Sequence, residues 1–154
     1  MTSMDRVRDF LAQKRLAIVG VSQEPRDFSR ALFREFSKRG YDAVPVNPKV
    51  QEMEARRCFA RVQDIRPAVD GVILMTPASA TGAVVRDCWD AGVKRVWMYR
   101  AAGSGAVDAD AVRFCEENGI SVIPGECPFM FLPGAAWFHR LHGFVNRVAG
   151  AYPR

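Results

Sequence analysis

A chain of 154 residues with 49% hydrophobic composition can bury one substantial core, so a single domain spanning residues 1–154 is expected. Its longest apolar runs, such as Gly71-Val72-Ile73-Leu74-Met75, are strand-sized, well short of the roughly 20 residues needed to cross a bilayer. The N-terminus, Met1-Thr2-Ser3-Met4-Asp5-Arg6, leads into a charged amphipathic stretch rather than an apolar signal core, so a cytoplasmic protein without membrane contact is expected.

The net charge of +5 comes from 22 basic residues spread along the chain, with no basic tail and no Arg-rich run. Some are paired in the sequence pattern itself, as Glu35 is with Arg39 at i,i+4. That distribution speaks against nucleic acid and suits an anionic small molecule. The four cysteines, Cys58, Cys88, Cys115 and Cys127, show no Cys-x-x-Cys spacing and read as reduced thiols rather than a zinc site or a disulfide framework.

Val7, Phe10 and Leu11 repeat at helical spacing, which predicts an opening helix that ends near Gln13. Strand one follows from Arg15 to Val19. Phe28, Ala31, Leu32 and Phe36 then form an apolar stripe with Arg30, Arg34 and Lys38 opposite, which predicts a helix from about Asp27 to Arg39 with Asp27 as N-cap and Gly40 beyond its C-terminus. Strand two runs from Asp42 to Val46 and is stopped by Pro48. Gln51 to Pro67 is polar and irregular, anchored by Cys58, Phe59 and Val62, with room for one helical turn. Strand three is the near-continuous apolar run Val69 to Met75.

Thr76-Pro77-Ala78-Ser79 opens a helix that carries Val84, Val85, Cys88 and Trp89 and stops at Gly92. Strand four spans Arg95 to Tyr99. A glycine-rich loop, Ala101 to Ala106, leads to an Asp108-capped helix stopped by Gly119. Strand five, Ile120 to Ile123, ends at Pro124-Gly125. The segment from Ala135 to Val148, with Trp137, Phe138, Leu141, Phe144, Val145 and Val148 at helical spacing, predicts a C-terminal helix. Five strands alternating with helices define a Rossmann-like, doubly wound α/β domain with a parallel five-stranded sheet, for which the order 3-2-1-4-5 is expected.

In such a sheet a ligand lies beyond the carboxyl ends of the strands, where the strand order reverses. Four loops are expected there: Gly20 to Asp27, Asn47 to Lys49, Thr76 to Ala78, and Arg100 to Gly103. The turn Gly20-Val21-Ser22 offers the amides of Val21 and Ser22 to a phosphate, although a strand-to-helix turn also uses glycine for conformation alone. In an NAD-binding fold an acidic residue roughly 20 residues on grips the ribose hydroxyls. Here Asn47, Pro48 and Lys49 hold that place, which disfavours plain NAD and suits a nucleotide with an extra ribose phosphate. Arg26, in the loop before the second helix, is a further candidate for the same phosphate.

Ile18-Val19-Gly20-Val21-Ser22, Gly40-Tyr41-Asp42, Val44-Pro45-Val46-Asn47-Pro48-Lys49, Val69-Asp70-Gly71-Val72 and Ala91-Gly92-Val93-Lys94-Arg95-Val96-Trp97 together resemble the small bacterial CoA-binding proteins. These are single Rossmann-like domains similar to the CoA-binding domain of the succinyl-CoA ligase α subunit. The resemblance covers about Leu16 to Pro128. It implies coenzyme A or an acyl-CoA as ligand, with a phosphate loop on Gly20, Val21 and Ser22, strand-two contacts on Asn47, Pro48 and Lys49, and further contacts on Thr76 and Pro77. Pro124-Gly125-Glu126-Cys127-Pro128 is similar to the ligase's Gly-Pro-Asn-Cys-Pro segment. The chain departs from the pattern after Trp97, where Met98-Tyr99-Arg100-Ala101-Ala102-Gly103 replaces a glutamine-glycine pair, so Arg100 is its own feature.

The ligase acts through a phosphorylated histidine on a second domain, for which this chain has no counterpart, so non-catalytic binding is the leading expectation. Lys49 and Arg26 would accept the 2′-phosphate of NADP as readily as the 3′-phosphate of CoA, which keeps an NADP-binding oxidoreductase or redox sensor open. Gly20-Val21-Ser22-Gln23-Glu24-Pro25 lacks the third glycine of the dinucleotide fingerprint, and Pro25 opposes the close packing that glycine permits. A third alternative is an acyl-transfer subunit active only with a protein partner docked on the C-terminal aromatic helix, a face that would equally serve a homodimer. His139 and His142, three apart on that helix, could join Cys127 in a metal or nucleophile site, but partly exposed helix positions near aromatics explain them more simply. No carboxylate dyad or Ser-His-Asp order can be assembled, so neither catalytic residues nor a metal are expected.

Overall fold

The computed structural model describes residues 3–101 and 103–133. Its elements run α1 (Ser3–Leu11), β1 (Arg15–Val19), α2 (Phe28–Lys38), β2 (Asp42–Val46), β3 (Gly71–Leu74), α3 (Ala78–Asp90), β4 (Arg95–Met98), α4 (Ala109–Glu117) and β5 (Ser121–Pro124). All five strands are parallel and form one sheet in the order β2-β1-β3-β4-β5. The α/β class, the parallel sheet and the flanking helices are as expected from the sequence. The C-terminal helix expected from Ala135 to Val148 lies outside the described residues.

The strand order corrects the expected 3-2-1-4-5, and Pro45 gives the reason. In β2, Pro45 aligns with Ile18 of β1 and turns its polar side away from it, its carbonyl accepting the Phe59 N–H at 3.1 Å. A further strand on that side would need an N–H that proline lacks, so β2 is an edge. Only a short contact covers it, Asn47 N–H donating back to Phe59 O at 2.9 Å. β3, buried along its whole length, takes the central place beside β1. The order therefore reverses between β1 and β3, and the crevice of an open sheet falls there.

Alternation along the strands divides the core into two layers. Leu16, Ile18, Ile73, Trp97 and Ile123 face α1 and α2, where Val7, Phe10, Leu32, Phe33 and Phe36 cover them. Ala17, Val19, Val72, Leu74, Val96 and Val122 face α3 and α4, under Val85, Cys88, Ala111 and Cys115. Phe10 meets Trp97 edge-to-face at 5.4 Å, and the indole N–H donates to Gly125 O at 2.9 Å. All four cysteines are buried free thiols.

The expected caps form: Asp27 accepts from Ser29 N on α2, and Asp108 accepts from Ala111 N on α4. Between β2 and β3 the chain makes a small antiparallel hairpin, Glu52–Met53 against Arg56–Arg57, then one 3-10 turn at Val62–Asp64. Cys58, Phe59 and Val62 anchor this segment in the core. The hairpin tip places Glu54 against Arg30 at 2.9 Å and Arg34 at 2.7 Å, fastening the connection to α2.

Candidate functional site

A cleft of about 580 Å³ opens at the carboxyl ends of β1, β2 and β3. Gly20, Val21, Ser22, Asn47, Pro48, Lys49, Thr76 and Pro77 all line it. Gly20 makes the crevice possible. Its φ is +92°, and a Cβ there would stand 2.9 Å from Met75 O, so only glycine lets the ends of β1 and β3 come this close. Its N–H donates across to Val46 O at 3.1 Å, while Met75 N–H donates to Val19 O at 2.8 Å.

Asn47 ties two of these loops together. Its Nδ2 donates to Val21 O at 2.8 Å, and its Oδ1 accepts the Lys49 N–H at 2.8 Å, closing an Asx turn that sets Lys49 on the rim. Lys49 is exposed and has no ion-pair partner among the described residues. Among the described residues that line the cleft it is the single charged one, and no carboxylate is among them. A cationic rim of this kind attracts an anion.

Of the two amides expected to face a phosphate, that of Ser22 is engaged within the protein. The Ser22 N–H turns inward and donates to Ser29 Oγ at 2.8 Å, while Ser22 Oγ accepts the Glu24 N–H at 3.0 Å. The N-terminus of α2 is closed by its own acid, since Asp27 Oδ1 accepts from both Ser29 N and Ser29 Oγ. The α3 N-terminus is different. Its cap position is Pro77, which makes no side-chain cap, so the first-turn amides of Ala78 and Ser79 have no acceptor within the helix and begin beside Thr76 and Pro77 on the cleft wall. Thr81 Oγ1 donates to Ala106 O at 2.7 Å and so receives the Thr76 hydroxyl proton at 2.9 Å, leaving Thr76 Oγ1 an acceptor towards the cleft.

Arg26 is not brought to the cleft. It is exposed, and its backbone N–H donates to Glu24 Oε1 at 3.1 Å. Arg30 takes a role the sequence pattern does not announce. Assigned by periodicity to the solvent face of α2, it is 9% exposed, with Nη1 donating to Ser22 O at 3.3 Å and Gln23 O at 3.2 Å and Nε donating to Glu54. It thereby holds the β1–α2 loop from behind. The only trace in the sequence is a cationic residue three places after the helix cap, which on a helix alone means a surface arginine.

At the far end of the strand termini, burial pushes the Cys127 thiol up to about 12, so it stays protonated at neutral pH and is a poor nucleophile. His139 and His142 lie outside the described residues.

Residues 14–133 match a family model described as a CoA binding domain. An uncharacterized protein of Bacillus subtilis, YneT, is 25% identical over 114 residues, covering 74% of this chain and 82% of that protein. The Pyrococcus furiosus acetate–CoA ligase (ADP-forming) II subunit alpha is 23% identical over 126 residues, 77% of this chain but only 27% of the subunit. Among solved structures, a hypothetical protein from Pyrococcus horikoshii OT3 superimposes with a TM-score of 0.76 at 28% identity, covering 83% of this chain and 87% of that one.

Proposed function

The chain belongs to the CoA-binding domain family, and from that premise we propose that it binds coenzyme A or an acyl-CoA without catalysing a reaction on it. The observation that carries this reading is the cleft at the β1–β3 switch, whose one charged residue among those described is Lys49 at the end of β2. In this account Lys49 receives the ribose 3′-phosphate of CoA, Asn47 holds the β2 loop against the β1 loop, and Gly20 and Val21 form the floor beneath the pyrophosphate. The uncapped amino end of α3, beside Thr76 and Pro77, supplies dipole and amides to the same phosphates. Ser22 serves through its loop geometry rather than its amide, and Arg26 contributes only long-range charge.

Among the described residues along the cleft no pair of side chains is arranged as nucleophile and base, which supports a binding role over turnover. The chain spans about a quarter of the ligase subunit it resembles, and a partnership with a separate catalytic chain fits that proportion. Among the described residues no helix is long and apolar enough to cross a membrane.

Titration with CoA and with dephospho-CoA, which lacks the 3′-phosphate, tests the assignment of Lys49. Removing one charge-assisted contact is expected to weaken binding about tenfold, and Lys49→Glu is expected to erase the preference for CoA. Equal affinity of the wild-type protein for the two ligands would overturn the role of Lys49.

A further inference from the structure

Where α3 begins, two threonine hydroxyls form a short chain whose direction is fixed from inside the protein. Thr81 is fully buried, and its Oγ1 lies 2.7 Å from Ala106 O and 3.4 Å from Pro77 O. A carbonyl oxygen cannot donate, so the shorter contact takes the single proton of Thr81. The 2.9 Å contact between the two hydroxyls is then made with the proton of Thr76, and Thr81 accepts it. Thr76 has no second proton. Half-buried on the cleft wall, its Oγ1 offers only lone pairs to whatever enters.

An incoming carbonyl or phosphate oxygen meets those lone pairs and is disfavoured, whereas an N–H is accepted. Phosphate oxygens therefore turn to Lys49 and to backbone amides, leaving Thr76 to a neutral donor. The ends of β2 and β3, which carry Lys49 and Thr76, stand two strand spacings apart, about 10 Å, on either side of β1. Val19, Val46, Pro48 and Pro77 make the wall there apolar, which suits the face of a flat base. With a ribose phosphate on Lys49, the ribose hydroxyls stay near β2 and the base reaches towards β3. We propose, resting on the CoA reading above, that Thr81 is a positioning residue that makes Thr76 an obligate acceptor, so that the cleft takes a purine with an exocyclic amine and rejects one with a carbonyl in its place.

Titration of CoA and of its hypoxanthine analogue, in which a carbonyl replaces the adenine amine, tests this on the wild-type protein, Thr76→Val, Thr81→Val and Thr81→Ser. Wild-type protein is expected to bind the analogue about tenfold more weakly than CoA. Thr76→Val is expected to bind the two alike, since valine neither accepts nor repels. Thr81→Ser keeps the buried hydroxyl and is expected to keep the tenfold ratio. Thr81→Val frees the Thr76 proton to turn into the cleft, and the ratio is expected to fall below about threefold. A purely structural role for Thr81 would weaken both ligands together and leave the ratio unchanged, so the ratio is the decisive readout. Equal binding of the two ligands by wild-type protein, a tenfold ratio kept in Thr76→Val, or a ratio undiminished in folded Thr81→Val would each overturn the relay. Should Thr81→Val not fold, Thr76→Val and Thr81→Ser still decide it. If wild-type protein binds CoA without discriminating, the relay falls and the CoA reading stands; if it binds neither ligand, the CoA reading falls and the relay with it.

Discussion

The side-chain amide of Asn47 donates to the carbonyl of Val21 at 2.8 Å, joining the loop after β2 to the loop after β1 across the mouth of the cleft. The same side chain accepts the Lys49 N–H at 2.8 Å, so one residue fixes both the shape of the mouth and the position of the lysine on its rim. Asn47→Asp keeps the second bond and destroys the first, because a carboxylate cannot donate to Val21 O, and it sets a negative charge where a phosphate is to bind. CoA affinity is expected to fall at least tenfold in calorimetric titration, with little change in thermal stability. Unchanged affinity would remove Asn47 from the site.

Gly20→Ala tests the close approach of β1 and β3. The new Cβ would lie 2.9 Å from Met75 O at a backbone angle that alanine disfavours. A loss of about 2–3 kcal/mol is expected in urea unfolding, combining left-handed strain with a backbone clash. A loss below about 0.5 kcal/mol, the range of neutral surface changes, would contradict this geometry.

Much of this arrangement was legible in the sequence. The expected bounds of β1 and β2 coincide with those observed, and Asp27 and Asp108 cap α2 and α4 as their side chains suggest. Three of the four loops expected at the ligand end, those after β1, β2 and β3, do line the cleft, because apolar runs ending in glycine or proline mark strand termini; no described residue of the fourth, Arg100 to Gly103, lines it. Strand order is the part that periodicity does not disclose, although Pro45 carries a signal: a proline inside a strand marks an edge. The hairpin at Glu52–Met53 and Arg56–Arg57 was hidden because its turn residues, Glu54 and Ala55, take positive φ without the glycine or asparagine that usually announces such a turn. Helical periodicity reports one helix and so places Arg30 towards solvent, whereas its burial depends on Glu54 and on two loop carbonyls from elsewhere in the chain.

Arg30→Met would leave the Ser22 and Gln23 carbonyls without their shared donor and Glu54 with Arg34 alone. A loss of about 2 kcal/mol in urea unfolding is expected, together with weaker CoA binding as the β1–α2 loop loosens. Stability falling while affinity holds would show that the clamp serves the fold only.

Glu54 carries a pH signature of its own. Burial alone would raise its carboxyl, but hydrogen bonds from Arg34 and Arg30 override this and hold it below the usual carboxylate range. A depressed folded-state pKa means stability that is present above the ordinary carboxylate pKa and lost as the pH falls through the folded value. Glu54→Gln is therefore expected to be less stable than wild type at pH 7, with the gap narrowing on acidification below about 4 in thermal unfolding. A gap independent of pH would contradict the ion pair.

Glu126 should behave in the opposite sense. Burial raises its carboxyl to about 6, against the pull of Arg100, so the folded state favours the protonated form. That preference is fully present below the unfolded pKa and disappears as the pH rises through 6. Glu126→Gln, neutral at every pH, is expected to melt above wild type at pH 8 and level with it at pH 4, without ligand. Identical melting profiles at both pH values would show that the carboxylate is not held out of water as described.

If the cleft at the β1–β3 switch takes CoA in preference to other nucleotides, calorimetric titration of the wild-type protein with CoA, NADP and NAD will separate the three ligands. Saturable one-site binding of CoA, weaker binding of NADP, and none of NAD at millimolar concentration are expected. Binding of NADP without CoA, or no binding of any of the three by folded protein, would contradict the CoA reading.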